Sequence, residues 1–186
     1  MAIILASASP RRRELMNLIT PDYQVRPSQV DESGITAGTP ALLAQALAEA
    51  KCGDVAAACP ADTVIGCDTV VDCGGAVFGK PKDRDDVVRM LRALSGGVHA
   101  VHTGVCICKQ GEKHSFVTTS QVVFFPLREQ EIQAYADTRE PYDKAGAYAI
   151  QGQAALWLDR IEGDYYNIMG FPVSRVAAAL RQMCVI

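Results

Sequence analysis

Two serines, a proline and three arginines stand together in the run Ala6-Ser7-Ala8-Ser9-Pro10-Arg11-Arg12-Arg13. Arginine forks bind phosphate oxygens through paired hydrogen bonds, and a serine followed by proline is a common way to begin a helix. The free N–H groups and the positive dipole end of such a helix favour an anion. Three cations set against that same dipole are unfavourable, so the segment asks for a compensating negative charge. A phosphate group would supply it; the alternative is a solvated basic turn on an ordinary helix.

Other segments add chemistry. Asp68 interrupts the apolar run Ile65-Gly66-Cys67-Asp68-Thr69-Val70-Val71. A carboxylate leaving a buried strand is partly desolvated, which suits a general base or a metal ligand, and equally suits a turn-capping aspartate beside Thr69. Lys80 sits between Gly79 and Pro81, a fixed turn that could present a point charge to phosphate or simply lie on the surface. His99 and His102 have no third ligand at metal-binding spacing and read as structural. The stretch Glu140 to Gly152 mixes small residues with Tyr142, Tyr148, the charge pair Asp143-Lys144 and Gln151. Small residues let a ligand approach the backbone and tyrosines offer a flat surface to a base, although a tight chain crossing would use the same residues.

The elements that must position these groups alternate. Ala2 to Leu5 reads as a buried strand, followed by a helix with Leu15, Leu18 and Ile19 on one stripe. Tyr23 to Arg26 alternates like a strand and runs into a polar loop holding Asp31 and Glu32. Pro40 opens a helix predicted to end near Lys51, with Leu43, Ala46, Leu47 and Ala50 inward. Val64 to Cys67 is a short buried strand that delivers Asp68. Val70 and Val71 continue it, with a turn over Asp72 to Gly75. A helix from about Asp83 carries Val87, Met90, Leu91 and Leu94 on one face. Val98 to Cys108 and Ser115 to Phe125 form a hairpin around Lys109 to Glu112. A helix over Glu129 to Ala136, a strand over Ala154 to Ile161 and a helix after Pro172, with Val173, Val176, Ala177 and Leu180 inward, complete the chain. Interleaved helices with a long hairpin predict an α/β fold with a mixed sheet.

Composition narrows the function classes. The 186 residues, 49% hydrophobic and 21% charged, suit one domain over residues 1–186 with a single core. A net charge of −3 supplies no field for nucleic acid or an anionic membrane, so a polyanionic substrate must be held by local cations. No apolar run is long enough to span a bilayer, and the N-terminal apolar residues precede the arginines, the reverse of a secretory signal. The seven cysteines form no Cys-x-x-Cys pair, as expected of reduced thiols in a cytoplasmic protein.

Taken together, the ordered segments resemble the Maf family of nucleoside triphosphate pyrophosphatases. The resemblance runs through Ala6 to Arg12, Val30-Asp31-Glu32, Lys51, Cys67-Asp68-Thr69, Gly79-Lys80-Pro81, Ser95-Gly96, His99 to Val105, Asp143 to Gly152, and Gly163 to Asn167 through Gly170-Phe171-Pro172. Cys67 stands where the family more often has alanine. The resemblance implies an elongated α/β fold with two lobes around a deep cleft, similar to the inosine triphosphate pyrophosphatases, and a cytoplasmic location. It implies cleavage of a nucleoside triphosphate to a monophosphate and pyrophosphate with a divalent metal cation, Mg²⁺ or Mn²⁺, as cofactor. Carried over by position, Asp68 is the base, with Lys80, Glu32 and Lys51 completing the catalytic set. Ser7, Arg11, Arg12, Thr69 and Gln151 contact substrate, and Glu32 and Asp68 hold the metal. The segment from Asp143 to Gly152 is similar to the dTTP/UTP branch rather than the 7-methyl-GTP branch.

The implied chemistry is physically coherent. Arginines and lysines would neutralise the phosphates, and two carboxylates suit a hard cation. A water deprotonated by Asp68 would attack the α-phosphorus. One glutamine amide, at Gln151, can meet the O4 acceptor and N3 donor of uracil or thymine with two hydrogen bonds. The partners expected are a nucleoside triphosphate and neither nucleic acid nor membrane, and a homodimer is compatible with the chain. Two alternatives stand beside this expectation: a nucleotide-binding regulator of septation, which needs no base, and a pyrophosphatase for altered purine nucleotides.

Overall fold

In the computed structural model, which describes residues 1–186, the first apolar run pairs as strand β1 (Ile3–Leu5) and leads into helix α1 (Pro10–Met16). Ser9 caps α1, its Oγ accepting from the Arg12 N–H at 3.5 Å, and Pro10 occupies the first turn. The helix stops at Met16, so Leu15 and Met16 form its buried face and Leu18 is left exposed, not inward as the spacing predicts. Strand β2 (Gln24–Val25) is shorter than the alternating run around it. Helix α2 (Pro40–Ala58) and strand β3 (Thr63–Cys73) follow, then β4 (Ala76–Phe78), α3 (Arg84–Leu94), β5 (Val98–Lys109) and β6 (Glu112–Phe124). Helix α4 (Glu129–Ala136), β7 (Leu158–Glu162), α5 (Tyr165–Ile168) and α6 (Val173–Gln182) complete the chain. No helix is long and apolar enough to cross a membrane.

One seven-stranded mixed sheet runs in the order β2-β1-β3-β5-β6-β7, with β4 also paired to β3. β1 is parallel to β2 and β3, and the remaining pairs are antiparallel. The hairpin of β5 and β6 closes through Gln110 (φ 51°) and Gly111 (φ 87°), two left-handed residues that match the twist of the strands. Two expected strands have different limits. The segment around Asp68 is one strand, Thr63–Cys73, because partners described below satisfy its polar middle. Gln153–Trp157 is a 3-10 turn that buries Ala154 and Trp157, so β7 begins only at Leu158.

The sheet separates two apolar regions. On one face α3, α4 and α6 cover a cluster of 30 buried residues that includes Leu5, Ile65, Cys67 and Val71. On the other face α2 lies over Val64, Cys106 and Cys108. The helix is longer than expected, and its buried residues are Ala44, Leu47, Ala48, Cys52 and Val55 rather than Leu43, Ala46 and Ala50. Ala44, Ala48 and Cys52, four residues apart, form a ridge of small side chains facing two glycines of the sheet. A Cβ on Gly66 would lie 2.5 Å from the Ala48 carbonyl oxygen, and one on Gly104 would lie 2.2 Å from that of Ala44. Helix backbone therefore rests directly on sheet backbone. Asp68 is the cross-strand partner of Gly104 and two residues beyond Gly66, so it emerges under α2.

This contact predicts the behaviour of Gly66→Ala. The added methyl must displace α2, because all three close neighbours are backbone or Cβ atoms. We expect a loss of about 2–3 kcal/mol and a fall in Tm of roughly 4–12 °C. A melting curve unchanged from that of the parent protein would contradict this packing.

Candidate active site

The edge of β3 that faces β1 is discontinuous. β1 pairs with Thr63, Val64 and Ile65, and β4 pairs with Val71, Asp72 and Cys73. Between them Gly66 to Val70 has no strand neighbour on that side, and the Ala6 N–H makes a last backbone bond to the Ile65 carbonyl at 2.8 Å. The chain turns away at Ser7 and returns as α1, which carries Arg12 back to the gap. Arg12 Nε donates to the Gly170 carbonyl at 2.8 Å, and its Nη1 donates to the Cys67 carbonyl at 2.8 Å and to Ser7 Oγ at 3.3 Å. Nη2 donates to Thr69 Oγ1 at 3.1 Å. Arg12 is thus held by two carbonyls and two hydroxyls, all neutral, and no carboxylate pairs with it.

Thr69 continues this chain. Its Oγ1 lies 2.9 Å from Thr103 Oγ1, and Thr103 donates to the Asn167 carbonyl at 2.9 Å. Thr103 has therefore committed its hydrogen, so Thr69 must donate to Thr103 and accept from Arg12. Asn167 in turn donates to the Val101 carbonyl at 3.0 Å and to Ser120 Oγ at 2.9 Å. Gly170 meets Arg12 with φ 98°, a left-handed conformation that leaves its carbonyl facing the guanidinium.

On the α2 side, Lys51 Nζ is held by Asp68 Oδ1 at 2.5 Å and Glu32 Oε1 at 3.0 Å. The Lys51 and Asp68 side chains are 16% and 13% exposed, so this pair is largely out of water, whereas Glu32 at 49% remains solvated. Removing Lys51 would leave the nearly buried Asp68 charge without its partner, a far larger penalty than loss of a surface pair, whereas Lys51 without Asp68 would still have Glu32. Asp68 lies within a strand rather than at a turn, which removes the turn-capping alternative. Its Oδ2 has no protein hydrogen bond and stays available.

Ser7, Arg12 and Thr69 thus form one connected group, and Glu32, Lys51 and Asp68 another, joined through adjacent residues of β3. Arg11, Lys80 and Gln151 make no side-chain hydrogen bond or ion pair with either group. Lys80 is exposed on a turn fastened to the 140–153 loop, where the Gly146 N–H donates to the Gly79 carbonyl at 3.1 Å. Gly146 abuts Val71 of β3. Arg11 is half-buried and reaches the same loop electrostatically. Burial opposes ionisation of Asp143, but its bond to Lys144 and the field of Lys144 and Arg11 hold its carboxyl below the usual range. Gln151 is exposed and its amide has no protein partner. Thr103, Asn167 and Gly170 were not singled out individually in the sequence; only the β3–β5 register reveals that Thr103 faces Thr69.

Both histidines are engaged structurally. His102 Nδ1 lies 2.9 Å from Thr119 Oγ1 and its Nε2 3.5 Å from Asp72 Oδ2. His99 Nε2 lies 2.8 Å from the Tyr148 hydroxyl, edge-on to Phe124, and burial pushes its pKa down to about 4. Two open concavities of about 560 Å³ lie elsewhere, one between Ile3, Tyr23 and Val185 and one beside Arg13 and Asn17. Neither is lined by the residues gathered here, so chemistry rather than cavity size locates the site.

Residues 2–183 match a protein-family model described as Maf-like protein. The dTTP/UTP pyrophosphatase of Bacillus velezensis is 46% identical over 180 residues, 97% of this chain and 95% of that protein. Its counterpart of the same name from Thermococcus gammatolerans is 47% identical over 171 residues, 92% of this chain and 91% of that protein. Among solved structures, the Staphylococcus aureus Ham1 protein superposes with a TM-score of 0.61 at 17% identity, covering 98% of this chain and 100% of that one. That similarity concerns the fold alone, and it agrees with the mixed sheet flanked by helices.

Two predictions follow from the bonds described. Arg12→Lys loses the fork that spans two carbonyls and should cost about 2–4 kcal/mol of stability, whereas exposed Arg13→Ala should stay within about 0.5 kcal/mol. Equal urea midpoints for the two variants would count against the bracing role of Arg12. His99 is neutral in the folded protein at pH values where the unfolded chain, with an ordinary histidine pKa of 6.5, takes a proton. Its contribution is complete above pH 6.5 and is lost as pH falls toward about 4. Between pH 7.5 and 5 that loss is about 2 kcal/mol, and the same pH step in His99→Gln should be smaller by this amount in denaturant titrations.

Proposed function

The chain belongs to the Maf family, and from that premise we propose that it hydrolyses dTTP and UTP to the monophosphate and pyrophosphate, with Asp68 as the base. The observation that carries this reading is the Glu32–Lys51–Asp68 group. One oxygen of Asp68 is fixed by Lys51 and the other is free, so the carboxylate is both oriented and able to accept a proton. Asp68 Oδ2 takes the proton of an attacking water as its oxygen bonds to the α-phosphorus. The bond from that phosphorus to the bridging oxygen of the β-phosphate breaks, and pyrophosphate leaves with the electron pair.

Charge on the leaving group needs cations not already neutralised. Arg11 and Lys80, whose side chains have no hydrogen-bonded protein partner, take this role together with Arg12, whose partners are all neutral and whose second Nη2 hydrogen is uncommitted. Lys51 holds Asp68 and screens it from Glu32. The donor set also fits a divalent cation. Glu32 and Asp68 are hard donors brought together on either side of Lys51, and each keeps one carboxylate oxygen that Lys51 does not bind. A Mg²⁺ or Mn²⁺ ion here would be held by Glu32 and Asp68 and would supply positive charge at the phosphates. Seven free cysteines, four of them buried, suit a reducing, cytoplasmic setting.

Gln151 is the reader of the base in this proposal. Its free amide can pair with O4 and N3 of uracil or thymine, whereas cytosine reverses both atoms. Pyrophosphate release from a panel of nucleoside triphosphates tests the reading. UTP and dTTP should be preferred over CTP and purine nucleotides, and Asp68→Asn should lose 10² to 10⁴ in rate, on the order expected for a missing base, while still binding nucleotide. Near-parent turnover in Asp68→Asn would remove Asp68 from this role, and a purine as best substrate would overturn the specificity.

A further inference from the structure

The loop that carries Gln151 is anchored in an unusual way. Gly146 (φ 72°) and Ala147 (φ 58°) are consecutive left-handed residues, the second with a side chain, so this backbone needs outside support. The support comes from α4 and the residue that starts the loop. Tyr135, 1% exposed and edge-on to Trp157 at 4.8 Å, donates its hydroxyl hydrogen to Glu140 Oε1 at 2.8 Å. The same hydroxyl oxygen accepts from the Ala149 N–H at 3.3 Å. Glu140 Oε1 also accepts from the Gln153 N–H at 3.1 Å. Between these two anchors lie only Ile150, Gln151 and Gly152.

Gly152 shows how close the contact is. A Cβ there would stand 1.9 Å from Glu140 Oε1, so only glycine lets the backbone seat on the carboxylate. Burial and the neighbouring carboxylate raise the Tyr135 phenol, which keeps its hydrogen for Glu140. At Gln151 the backbone is pinned on both sides while the amide is left without a protein partner.

We propose that Tyr135 and Glu140 are a positioning pair that fixes Gln151 for recognition of the pyrimidine edge; this rests on the reading of Gln151 as the base reader. Neither residue touches the reacting phosphates. The pair acts on ground-state and transition-state binding alike, so its loss raises KM and narrows substrate preference more than it lowers kcat.

The test uses Tyr135→Phe, Glu140→Ala and the conservative Glu140→Gln, which keeps an acceptor for both donors. Tyr135→Phe and Glu140→Ala each remove two hydrogen bonds and should raise KM for UTP at least about tenfold, the effect of one buried hydrogen bond, with kcat within about threefold. The UTP-over-CTP preference should shrink in both, and Glu140→Gln should restore most of it. Hydrogen exchange at the Ala149 amide should speed up in Tyr135→Phe, and at the Gln153 amide in Glu140→Ala. Gly152→Ala should raise KM similarly and add nothing further when combined with Glu140→Ala. Faster exchange with unchanged KM and preference would overturn the proposal, since the pair would then be purely structural. Gln151→Ala, run alongside, separates the two readings. A preference lost there but kept in both pair variants overturns the positioning role and spares the reader. A preference kept in Gln151→Ala overturns the reader, and with it the purpose assigned to the pair.

Discussion

A strand that loses its neighbour for a few residues must satisfy its exposed backbone in some other way, and β3 does so between Ile65 and Val71. Backbone groups left unpaired away from water cost as much as a lost hydrogen bond. Arg12 meets that demand at Cys67 and, with the same planar group, reaches Gly170, Ser7 and Thr69. One guanidinium therefore ties α1, the middle of β3 and the turn before α6 into a single unit. The gap and its brace together create a place where the sheet is interrupted but rigid, and Asp68 stands in the middle of it.

The other face imposes a different constraint. A carboxylate and an ammonium at 2.5 Å, both nearly buried, gain from their attraction only if held in good geometry, because desolvation works against each. Here the geometry comes from glycine. Gly66 and Gly104 remove the side chains that would otherwise hold α2 away, and Lys51 needs no long reach to meet Asp68. The half-solvated Glu32 completes the charge pattern from a loop, so it is the member of the group with most freedom to move.

Much of this was legible in the chain itself, and the parts that were not have physical reasons. The serine cap and proline of α1, the apolar face of α3, the two-residue hairpin turn and the limits of α4 depend on local chemistry, and local chemistry is written in sequence. The face and length of α2 were misread because an alanine-rich helix has little amphipathic contrast; which alanines turn inward is decided by glycines far along the chain. The strand around Asp68 was read in two parts, Val64 to Cys67 and then Val70 to Val71, because its polar centre is tolerated only through Lys51 and Arg12, partners 17 and 55 residues distant from Asp68 and Cys67 respectively. Ser7 and the arginine run pointed to a phosphate site by type alone, and Asp68 to a base, a metal ligand or a turn cap. That Arg12 braces while Arg11 stays free is a matter of direction around one helical turn, which no spacing rule conveys. The comparisons support the activity and leave the individual roles to the tests above.

The seating of α2 on bare glycine has a mechanical consequence. In most helix–sheet contacts, side chains form a compliant layer that can change rotamer when one element shifts. Where backbone meets backbone, that cushion is absent, and close-packed interiors resist compression. A displacement of the sheet at Gly66 or Gly104 is therefore passed to α2 almost undiminished, and Lys51 travels with Asp68 instead of sliding past it. The Asp68 carboxylate and its counter-ion keep their spacing through thermal motion because they ride on one stiff body.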